Sequence, residues 1–253
     1  MRRTLSVAII TLDEEANLPR TLASIAWVDQ IVVVDAGSTD QTVAVARNAG
    51  ARVFPESWKG FAAQKNSAIS HCTGDWILSL DADEEVSSAL SAEIQTLLAG
   101  DPTCDAYNLP RSNFFLGRPL RYGGFHPDRK LRLFRRGAAR FSDRAVHETL
   151  SCSGEIGQLH NGLLHHAYPT LTSYIDHMNC YSTLGAEILV QRGRCSRSFA
   201  AFVWNVIAVP QLSFFYNYVV RFGFLDGREG LLMHLYQANY TSWKYAKAWH
   251  SAK

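Results

Sequence analysis

Short apolar runs alternate with helix-type segments over the first part of the chain. Apolar runs occur at 5–10, 31–34 and 76–80, and residues with helical spacing separate them. Such alternation is typical of right-handed βαβ units and a parallel sheet. Further on, 130–135 alternates as a half-buried strand does, and 163–166, a short apolar stretch that ends in two histidines, is expected to be the last strand of the core. The pattern predicts an α/β fold with a mostly parallel sheet flanked by helices.

The last third of the chain carries helical signals in place of strand signals. Residues 198–220 contain no charged side chain and are long enough to cross a bilayer, although Pro210 interrupts them. We favour a membrane-surface or partly inserted pair of amphipathic helices; a spanning hairpin, and buried packing or an oligomer contact, are the alternatives. A final helix is predicted at 227–249, rich in Tyr and Trp. The expected domains are a catalytic domain at 1–170 and a helical, membrane-associating region at 171–253.

Composition narrows the class of protein only slightly. Hydrophobic residues make up 47% and charged residues 19% of the chain, which excludes a disordered tail protein. A net charge of +2 is too small to indicate nucleic acid, and we expect no such partner. The five cysteines have no CxxC spacing, as is usual for reduced cytosolic thiols. The N-terminal apolar stretch lacks the h-region of a signal peptide, so we expect the catalytic part in the cytosol.

Two carboxylates, Asp81 and Asp83, follow the apolar run at 76–80. Open α/β sheets place their ligand crevice at the carboxyl ends of the strands, and Asp35 ends a second strand in register to reach the same crevice. Side chains at i and i+2 project from one side of an extended backbone, which suits a hard divalent cation holding a phosphate-bearing ligand. The ordinary alternative is a turn whose acids cap the following helix.

Other phosphate-binding motifs are missing from the sequence. No G-x-G-x-x-G follows the first strand and no G-x-x-x-x-G-K-[ST] occurs, which argues against nicotinamide-dependent and P-loop proteins. A haloacid-dehalogenase-type phosphatase also uses D-x-D, but on its first strand. We therefore interpret the pair as the metal and sugar-nucleotide site of a transferase.

A series of motifs resembles the family 2 glycosyltransferases, and within them the lipopolysaccharide-core β-1,4-glucosyltransferase group. In chain order the motifs are Thr11-Leu12-Asp13-Glu14-Glu15, Val34-Asp35-Ala36-Gly37-Ser38-Thr39-Asp40-Gln41-Thr42, Gln64-Lys65-Asn66 and Asp81-Ala82-Asp83-Glu84. The similarity extends from the first strand to about Tyr181. It implies a GT-A fold, a nucleotide-sugar donor, Mg2+ or Mn2+, and inversion at the anomeric carbon.

The resemblance also implies a set of donor-binding residues. Thr11 and Glu14 would line the nucleobase and ribose pocket, and Asp35 would read the base. Lys65 would lie near the diphosphate or the ribose. Many relatives carry Tyr-Asn after the first-strand Thr, whereas this chain has Leu12-Asp13, so the pocket departs from the family pattern there.

Metal-binding and loop residues follow from the same resemblance. Asp83 would ligate the metal directly, Asp81 would contact the ribose and the metal, and His165 matches the late histidine that completes the metal shell. His166 is the alternative to His165 as the metal ligand. Gly123 and Gly124 resemble the glycine loop that lets the backbone approach donor and acceptor.

An acceptor hydroxyl is a poor nucleophile until a positioned carboxylate takes its proton. Val146-His147-Glu148 lies where the family carries its x-E-D base motif, with His-Glu in place of Glu-Asp. We assign the base to Glu148, with Asp128 and Asp143 as alternatives. Nearby, Arg129-Lys130-Leu131-Arg132 carries three cations that suit a phosphorylated or acidic saccharide acceptor.

These observations predict an inverting, metal-dependent glycosyltransferase that transfers a hexose from a UDP-sugar, with glucose the expected sugar. The expected acceptor is a lipid-linked saccharide such as lipopolysaccharide core, met at the cytoplasmic face of the inner membrane by a peripheral enzyme. A polyprenyl-phosphate glycosyltransferase is the second enzyme hypothesis, and it needs no strong base because phosphate is already nucleophilic. A non-catalytic membrane scaffold is the third, and the joint presence of Asp35, Lys65, Asp81 and Asp83 argues against it.

Overall fold

The structure, a computed structural model, describes residues 3–142 and 149–252. The chain forms two compact units. The first consists of Met1–Arg111 with Asp128–His166, and the second of Ser112–Pro127 with Ala167–Lys253. The second unit therefore includes a segment from the middle of the chain as well as its C-terminal part.

The described strands are β1 Leu5–Thr11, β2 Gln30–Asp35, β3 Arg52–Pro55, β4 Trp76–Asp81, β5 Glu84–Val86, β6 Ala106–Phe115, β7 Arg118–Leu120, β8 Asp128–Arg135, β9 Ala139–Ser142, β10 Thr149–Cys152, β11 Ile156–Gln158 and β12 Leu163–Tyr168. The α-helices are α1 Leu18–Ser24, α2 Thr42–Asn48, α3 Phe61–Ser70, α4 Ser88–Ala99, α5 Leu171–Gln191, α6 Phe199–Val203, α7 Val209–Phe215 and α8 Gly227–Ser251.

The main sheet has the strand order β3-β2-β1-β4-β8-β6-β12-β5. Its first four strands are parallel, as the alternation of strands and helices predicts. Beyond them β8 runs antiparallel to both β4 and β6, and β5 runs antiparallel to β12. The predicted α/β fold with helices flanking the sheet is confirmed.

The central strands are mostly apolar, as is usual where both faces of a sheet are covered. On one face, Val33 packs in a core cluster with Leu90 of α4. On the other face, Val34 packs in a second cluster with Ala68 of α3. This burial on both sides holds β1, β2 and β4 in a fixed register and so fixes the positions of the residues at their ends.

In the second unit, α5 and α8 pack along each other. Tyr174 of α5 and Met233 of α8 are almost fully buried and share a core cluster with Phe115. Lys247 of α8 donates to the carbonyl oxygen of Asn179 at 2.8 Å and to the Ser182 hydroxyl at 2.7 Å, both on α5. Apolar packing and these charge-assisted hydrogen bonds together hold the helix pair.

A single apolar helix, Phe199–Val220, occupies the segment in which two helices were expected. One π-helical turn, Trp204–Ala208, joins α6 to α7, and a second, Tyr216–Val220, extends α7 to the end of the helix. Within the described part of the chain it is the one helix long and apolar enough to cross a membrane. Its mean hydropathy is 1.4, and only 6% of its most apolar 18-residue stretch is buried. Length and composition alone make this weak evidence for a membrane span.

Pro210 lies inside this helix, so the prediction that it interrupts the segment is wrong. Proline lacks an N–H and deprives the carbonyl four residues earlier, that of Val206, of its helical donor. The Ser242 hydroxyl of α8 donates to the Val206 oxygen at 2.8 Å. A π-helical turn also precedes the proline and relaxes the backbone there. A partner distant in sequence therefore compensates for the lost hydrogen bond.

Candidate active site

The carboxyl ends of three parallel strands lie at one edge of the sheet. Thr11 at the end of β1 is paired in register with Asp35 at the end of β2. Ile10, one residue earlier on β1, is paired with Asp81 at the end of β4. The structure therefore brings together three residues that the sequence predicts for one crevice, and it does so through strand register alone.

Asp35 is buried and tightly hydrogen-bonded. Its carboxylate accepts from the Thr11 hydroxyl at 3.0 Å, from the Gly37 N–H at 3.0 Å and from the Ser38 N–H at 2.9 Å. Burial acts to raise the pKa of Asp35, but the hydrogen bonds from Ser38 and Thr11 outweigh it and hold that pKa below its usual range. Asp35 thus shapes the turn after β2, and any contact with a nucleobase would be in addition to that task.

The loops after β1 and β2 are tied together by reciprocal hydrogen bonds. Asp13, whose φ is 53°, accepts from the Thr39 N–H at 2.7 Å. Asp40 accepts from the Glu15 N–H at 3.1 Å, and Glu15 accepts in turn from the Gln41 N–H at 2.8 Å. These side chains stiffen the rim of the crevice. The acid-rich loop therefore has a structural task that the sequence motif does not reveal.

Asp81 is held between two cations. One carboxylate oxygen is 2.7 Å from Nζ of Lys65, and the other accepts a hydrogen bond from Arg132. Burial acts to raise the pKa of Asp81, but the charges of Arg132 and Lys65 outweigh it and hold that pKa far below its usual range. Asp81 is therefore ionised at neutral pH with both oxygens in ion pairs.

Arg132 does not face an acceptor, as its place in the basic cluster suggested. It is only 5% exposed and donates to Glu84, which is fully buried, at 2.8 Å as well as to Asp81. That prediction is wrong because β8 lies beside β4 in the sheet and turns this side chain inward. Arg132 alternates with Leu131 and Leu133 as in a half-buried strand, so no local sequence signal indicates its burial.

Asp128, the alternative base, belongs to the same network of charges. Arg111 lies 2.9 Å from one carboxylate oxygen of Asp128, and Lys130 lies 3.0 Å from the other. Arg111 also contacts Glu84 at 3.1 Å. The network joins β4, β5, β6 and β8 through buried or half-buried ion pairs.

Asp83 and His165 meet next to this network. Oδ2 of Asp83 is 3.2 Å from Nε2 of His165, and the two side chains are 23% and 17% exposed. The neighbouring His166 pairs separately with Glu85 at 3.2 Å. Strand β12 pairs with β5 and so carries both histidines to the two acids that follow β4. The predicted pairing of the second aspartate with a late histidine is thus present as a geometric fact.

The donor set of Asp83 and His165 fits a small divalent cation. Among residues 3–142 and 149–252, no three His, Cys, Asp or Glu side chains form a ready-made metal cage. Mg2+ seldom uses such a cage, since it retains water and binds one or two carboxylates together with substrate phosphates. Burial raises the pKa of Glu14 beside this site, with smaller contributions from the negative charges of Asp83, Asp40 and Asp81.

Gly123 and Gly124, the predicted glycine loop, belong to the second unit. Both have positive φ, 65° and 97°. A Cβ on Gly123 would lie 2.0 Å from the His234 ring, and a Cβ on Gly124 would lie 2.3 Å from the Arg221 guanidinium. Glycine is therefore required at both positions by backbone conformation and by close packing.

The predicted base, Glu148, lies outside the described residues, as do His147 and Asp143. The assignment of the proton-accepting carboxylate therefore stays a prediction.

The mostly parallel sheet flanked by helices is of the GT-A type of fold, and comparison with known proteins agrees. The family model described as Glycosyl transferase family 2 matches residues 6–147. The chain belongs to glycosyltransferase family 2, and the predicted family and enzyme class are confirmed.

Individual relatives refine this result. The lipopolysaccharide core biosynthesis glycosyltransferase LpsC of Rhizobium meliloti (strain 1021) is 35% identical over 202 residues, covering 77% of this chain and 75% of that protein. Glycosyltransferase RT0209 of Rickettsia typhi is 32% identical over 210 residues, covering 78% and 72% of the two chains. A solved mannosyltransferase from Pyrobaculum calidifontis, in complex with GDP-Man and Mn2+, superposes with a TM-score of 0.56 at 15% identity over 100% of this chain and 89% of that chain. That superposition supports the fold alone.

Proposed function

We propose that the protein transfers a hexose, with glucose the expected sugar, from a UDP-sugar to a saccharide acceptor with inversion, assisted by Mg2+ or Mn2+. The observation that carries the proposal is the meeting of Asp83 and His165 at 3.2 Å, beside an Asp81 that is clamped by Lys65 and Arg132. Paired ligand atoms next to fixed cations suit a diphosphate leaving group.

In this proposal Asp83 and His165 hold the cation. When bound, the cation would neutralise charge on the departing diphosphate. The protein orients the donor, because Thr11, Glu14 and Asp35 line the space for its base and ribose. Because strand register and hydrogen bonds already fix these side chains, little ordering is needed when the donor binds.

Asp81 has a different task in the proposal from the one the motif suggests. Both its oxygens are paired with cations, so we assign it first to positioning Lys65 near the diphosphate. Its predicted contacts with the ribose and the metal stay predictions. The predicted proton acceptor is Glu148, and attack from the face opposite the diphosphate would turn an α-linked donor into a β-linked product.

The proposed acceptor is a lipid-linked saccharide, as the name of LpsC suggests for that relative. We further propose that 171–253 associates with the cytoplasmic face of the membrane while 1–170 carries the catalysis. The support is an exposed apolar surface on the helix Phe199–Val220, whose exposed members are Phe199, Val203, Trp204, Ile207, Leu212, Phe215, Tyr216, Val219 and Val220. Arg194 and Arg197 are exposed before this helix and suit anionic headgroups.

A donor screen tests the proposal. UDP and GDP release would be measured from several nucleotide-sugars, with Mg2+, Mn2+ or chelator, and with or without candidate acceptor glycolipids. The proposal expects metal-dependent UDP release from UDP-glucose that an acceptor saccharide stimulates. Stimulation by polyprenyl phosphate, and its persistence in Glu148→Gln, would instead favour the polyprenyl-phosphate glycosyltransferase. No turnover of any donor under any of these conditions would contradict both enzyme hypotheses.

A further inference from the structure

Two exposed aromatic side chains lie where the loop 56–60, between β3 and α3, enters the helix. Trp58 is 47% exposed, and Phe61, the first residue of α3, is 50% exposed. Among the described residues of the first unit, no other Phe, Tyr or Trp side chain is as exposed as these two. Their ring centroids are 4.8 Å apart and their planes meet at 87°. The two rings, called here the aromatic pair, therefore form an open corner with two apolar walls.

Both ends of this loop are fixed at the edge of the sheet that carries the predicted donor-binding residues. At its start, beside the paired ends of β2 and β3, the Glu56 N–H donates to the Asp35 carbonyl oxygen at 2.9 Å. At its other end, Phe61 precedes Lys65 by four residues, a spacing that places two side chains about 6 Å apart on one face of a helix. Because Nζ of Lys65 is 2.7 Å from Asp81, the aromatic pair lies one helical turn from that ion pair.

Polar side chains hold the loop and provide hydrogen-bonding groups beside the aromatic pair. Glu56 accepts from Lys59 at 3.1 Å and from the Ser67 hydroxyl of α3 at 2.7 Å, so the loop is attached to the helix. Gly60 has a φ of 91°, which glycine adopts without strain where the chain turns into α3. An ammonium group has three N–H donors and a carboxylate has about four acceptor positions, so these bonds saturate neither Lys59 nor Glu56.

A pyranose ring matches this combination of apolar walls and polar groups. Its C–H bonds form apolar faces that pack on aromatic rings, and its hydroxyls both donate and accept hydrogen bonds. A nucleobase is flat and stacks through two parallel faces, of which a corner of 87° would contact only one. An anionic lipid surface attracts unpaired cations, whereas Lys59, the one cation of this loop, is paired with Glu56. The geometry and charge of the loop therefore favour a sugar over the other two ligands.

We propose that Trp58 and Phe61 bind a pyranose ring of the acceptor saccharide, with Lys59 and Glu56 as partners for its hydroxyls. This inference rests on the proposed function and names the place on the first unit at which its acceptor is held. Stacking on the aromatic pair involves no bond to the donor. It should therefore determine the KM for the acceptor and leave the KM for the donor unchanged.

The test uses the full chain and an acceptor without lipid, so that membrane binding cannot affect the result. The variants are Trp58→Ser and Phe61→Ser, with Trp58→Phe as the conservative change. The matched control is Ile156→Ser, which removes a 45% exposed apolar side chain from β11 of the same unit. UDP release from UDP-glucose would be measured with Mn2+ at increasing concentrations of core oligosaccharide, released from lipopolysaccharide by mild acid.

We expect the KM for the oligosaccharide to rise about tenfold in Trp58→Ser and in Phe61→Ser, the scale on which one aromatic stacking contact contributes to binding. Trp58→Phe keeps an aromatic wall and should stay within about threefold of wild type, and Ile156→Ser should match wild type. The KM for UDP-glucose should stay within about twofold of wild type in every variant. A general loss of structure would not separate the two KM values in this way.

An unchanged KM for the oligosaccharide in both serine variants of the aromatic pair would overturn the proposal. A raised KM for UDP-glucose alone would assign the pair to the nucleobase, and weaker sedimentation with phosphatidylglycerol vesicles alone would assign it to a lipid surface; either result also overturns the proposal. If one serine variant misfolds by circular dichroism, the other decides. If the oligosaccharide did not stimulate the wild-type protein, the proposed saccharide acceptor would fail and this inference with it, which is a different result from a stimulated wild type with insensitive variants.

Discussion

The carboxylate edge of the first unit and the apolar surface of the second unit differ in their exposure to water and in whether their side chains have partners in the protein. At the edge, charged side chains are removed from water and each has its partner in the protein, as Asp81 has in Lys65 and Arg132. On the surface, large apolar side chains such as Trp204 stay in water, 56% exposed. Paired buried charges indicate a site organised before its ligand arrives, and unpaired apolar area indicates a surface that a partner covers.

The largest expected effect is on the edge. Asp83→Ala removes the carboxylate that meets His165 and should lower UDP release from the donor by about a thousandfold, the scale on which a charge-stabilising group contributes to catalysis. Steady-state kinetics at saturating metal would measure it. The matched control is Glu155→Gln on the exposed surface of the same unit, which should leave the rate unchanged. Equal rates in both variants would show that the Asp83 carboxylate is not needed for turnover of the donor.

Arg132→Met tests whether the edge depends on its buried ion pairs. The substitution leaves Glu84 and Asp81 without this cation, and breaking a buried pair on one side costs about 3 kcal/mol. Urea unfolding at neutral pH would measure the loss, with Arg129→Met, at an exposed position three residues away in β8, as the control. A loss no greater than that of the control would show that the network is not needed for stability.

Acid should weaken the edge before it affects the apolar surface. The pKa values of Asp35 and Asp81 are lowered in the folded protein, so their stabilisation is fully present above the unfolded pKa of about 3.9 and is lost as the pH falls below it. Unfolding free energies measured from pH 7 down to pH 3 should therefore fall steeply at the acid end. Asp35→Asn should flatten part of that slope, and an unchanged slope in this variant would contradict the assignment.

On the apolar surface, Trp204→Asp should lower binding to anionic vesicles by about a hundredfold, because it removes a large exposed aromatic and adds a charge of the wrong sign. Sedimentation with vesicles would measure the change. The control variant is Thr172→Asp, which adds the same charge at an exposed position outside the apolar helix. This variant should bind vesicles almost as the wild-type protein does. Binding that is insensitive to Trp204→Asp would reassign the surface to another partner.

The smallest expected effect concerns the helix that carries the surface. Ser242→Ala removes the donor to the Val206 carbonyl and should cost about 1 kcal/mol of stability, with a lowered melting temperature. The double variant Ser242→Ala with Pro210→Ala restores a backbone donor and should recover part of that loss. No recovery would mean that the hydroxyl does not compensate for the proline.

The sequence predicts much of the edge because local order dictates it. Asp35 and Asp81 end apolar runs, and parallel strands bring their carboxyl ends to one edge of a sheet without further information. Arg132 escapes prediction because its role depends on β8 pairing with β4, strands about fifty residues apart whose adjacency no local pattern specifies. The uninterrupted helix at Pro210 could not be predicted for the same reason, because the compensating donor, Ser242, lies on a different helix.

Binding of Mn2+ to the complex with UDP tests the central claim most directly, because it reports on the edge without requiring an acceptor. Electron paramagnetic resonance would count free Mn2+ during titration of the wild-type protein, Asp83→Ala and Glu155→Gln in the presence of UDP. The account predicts that Asp83→Ala binds Mn2+ at least about a hundredfold more weakly than the other two proteins, since the ion loses its carboxylate ligand. Indistinguishable binding by all three proteins would contradict it.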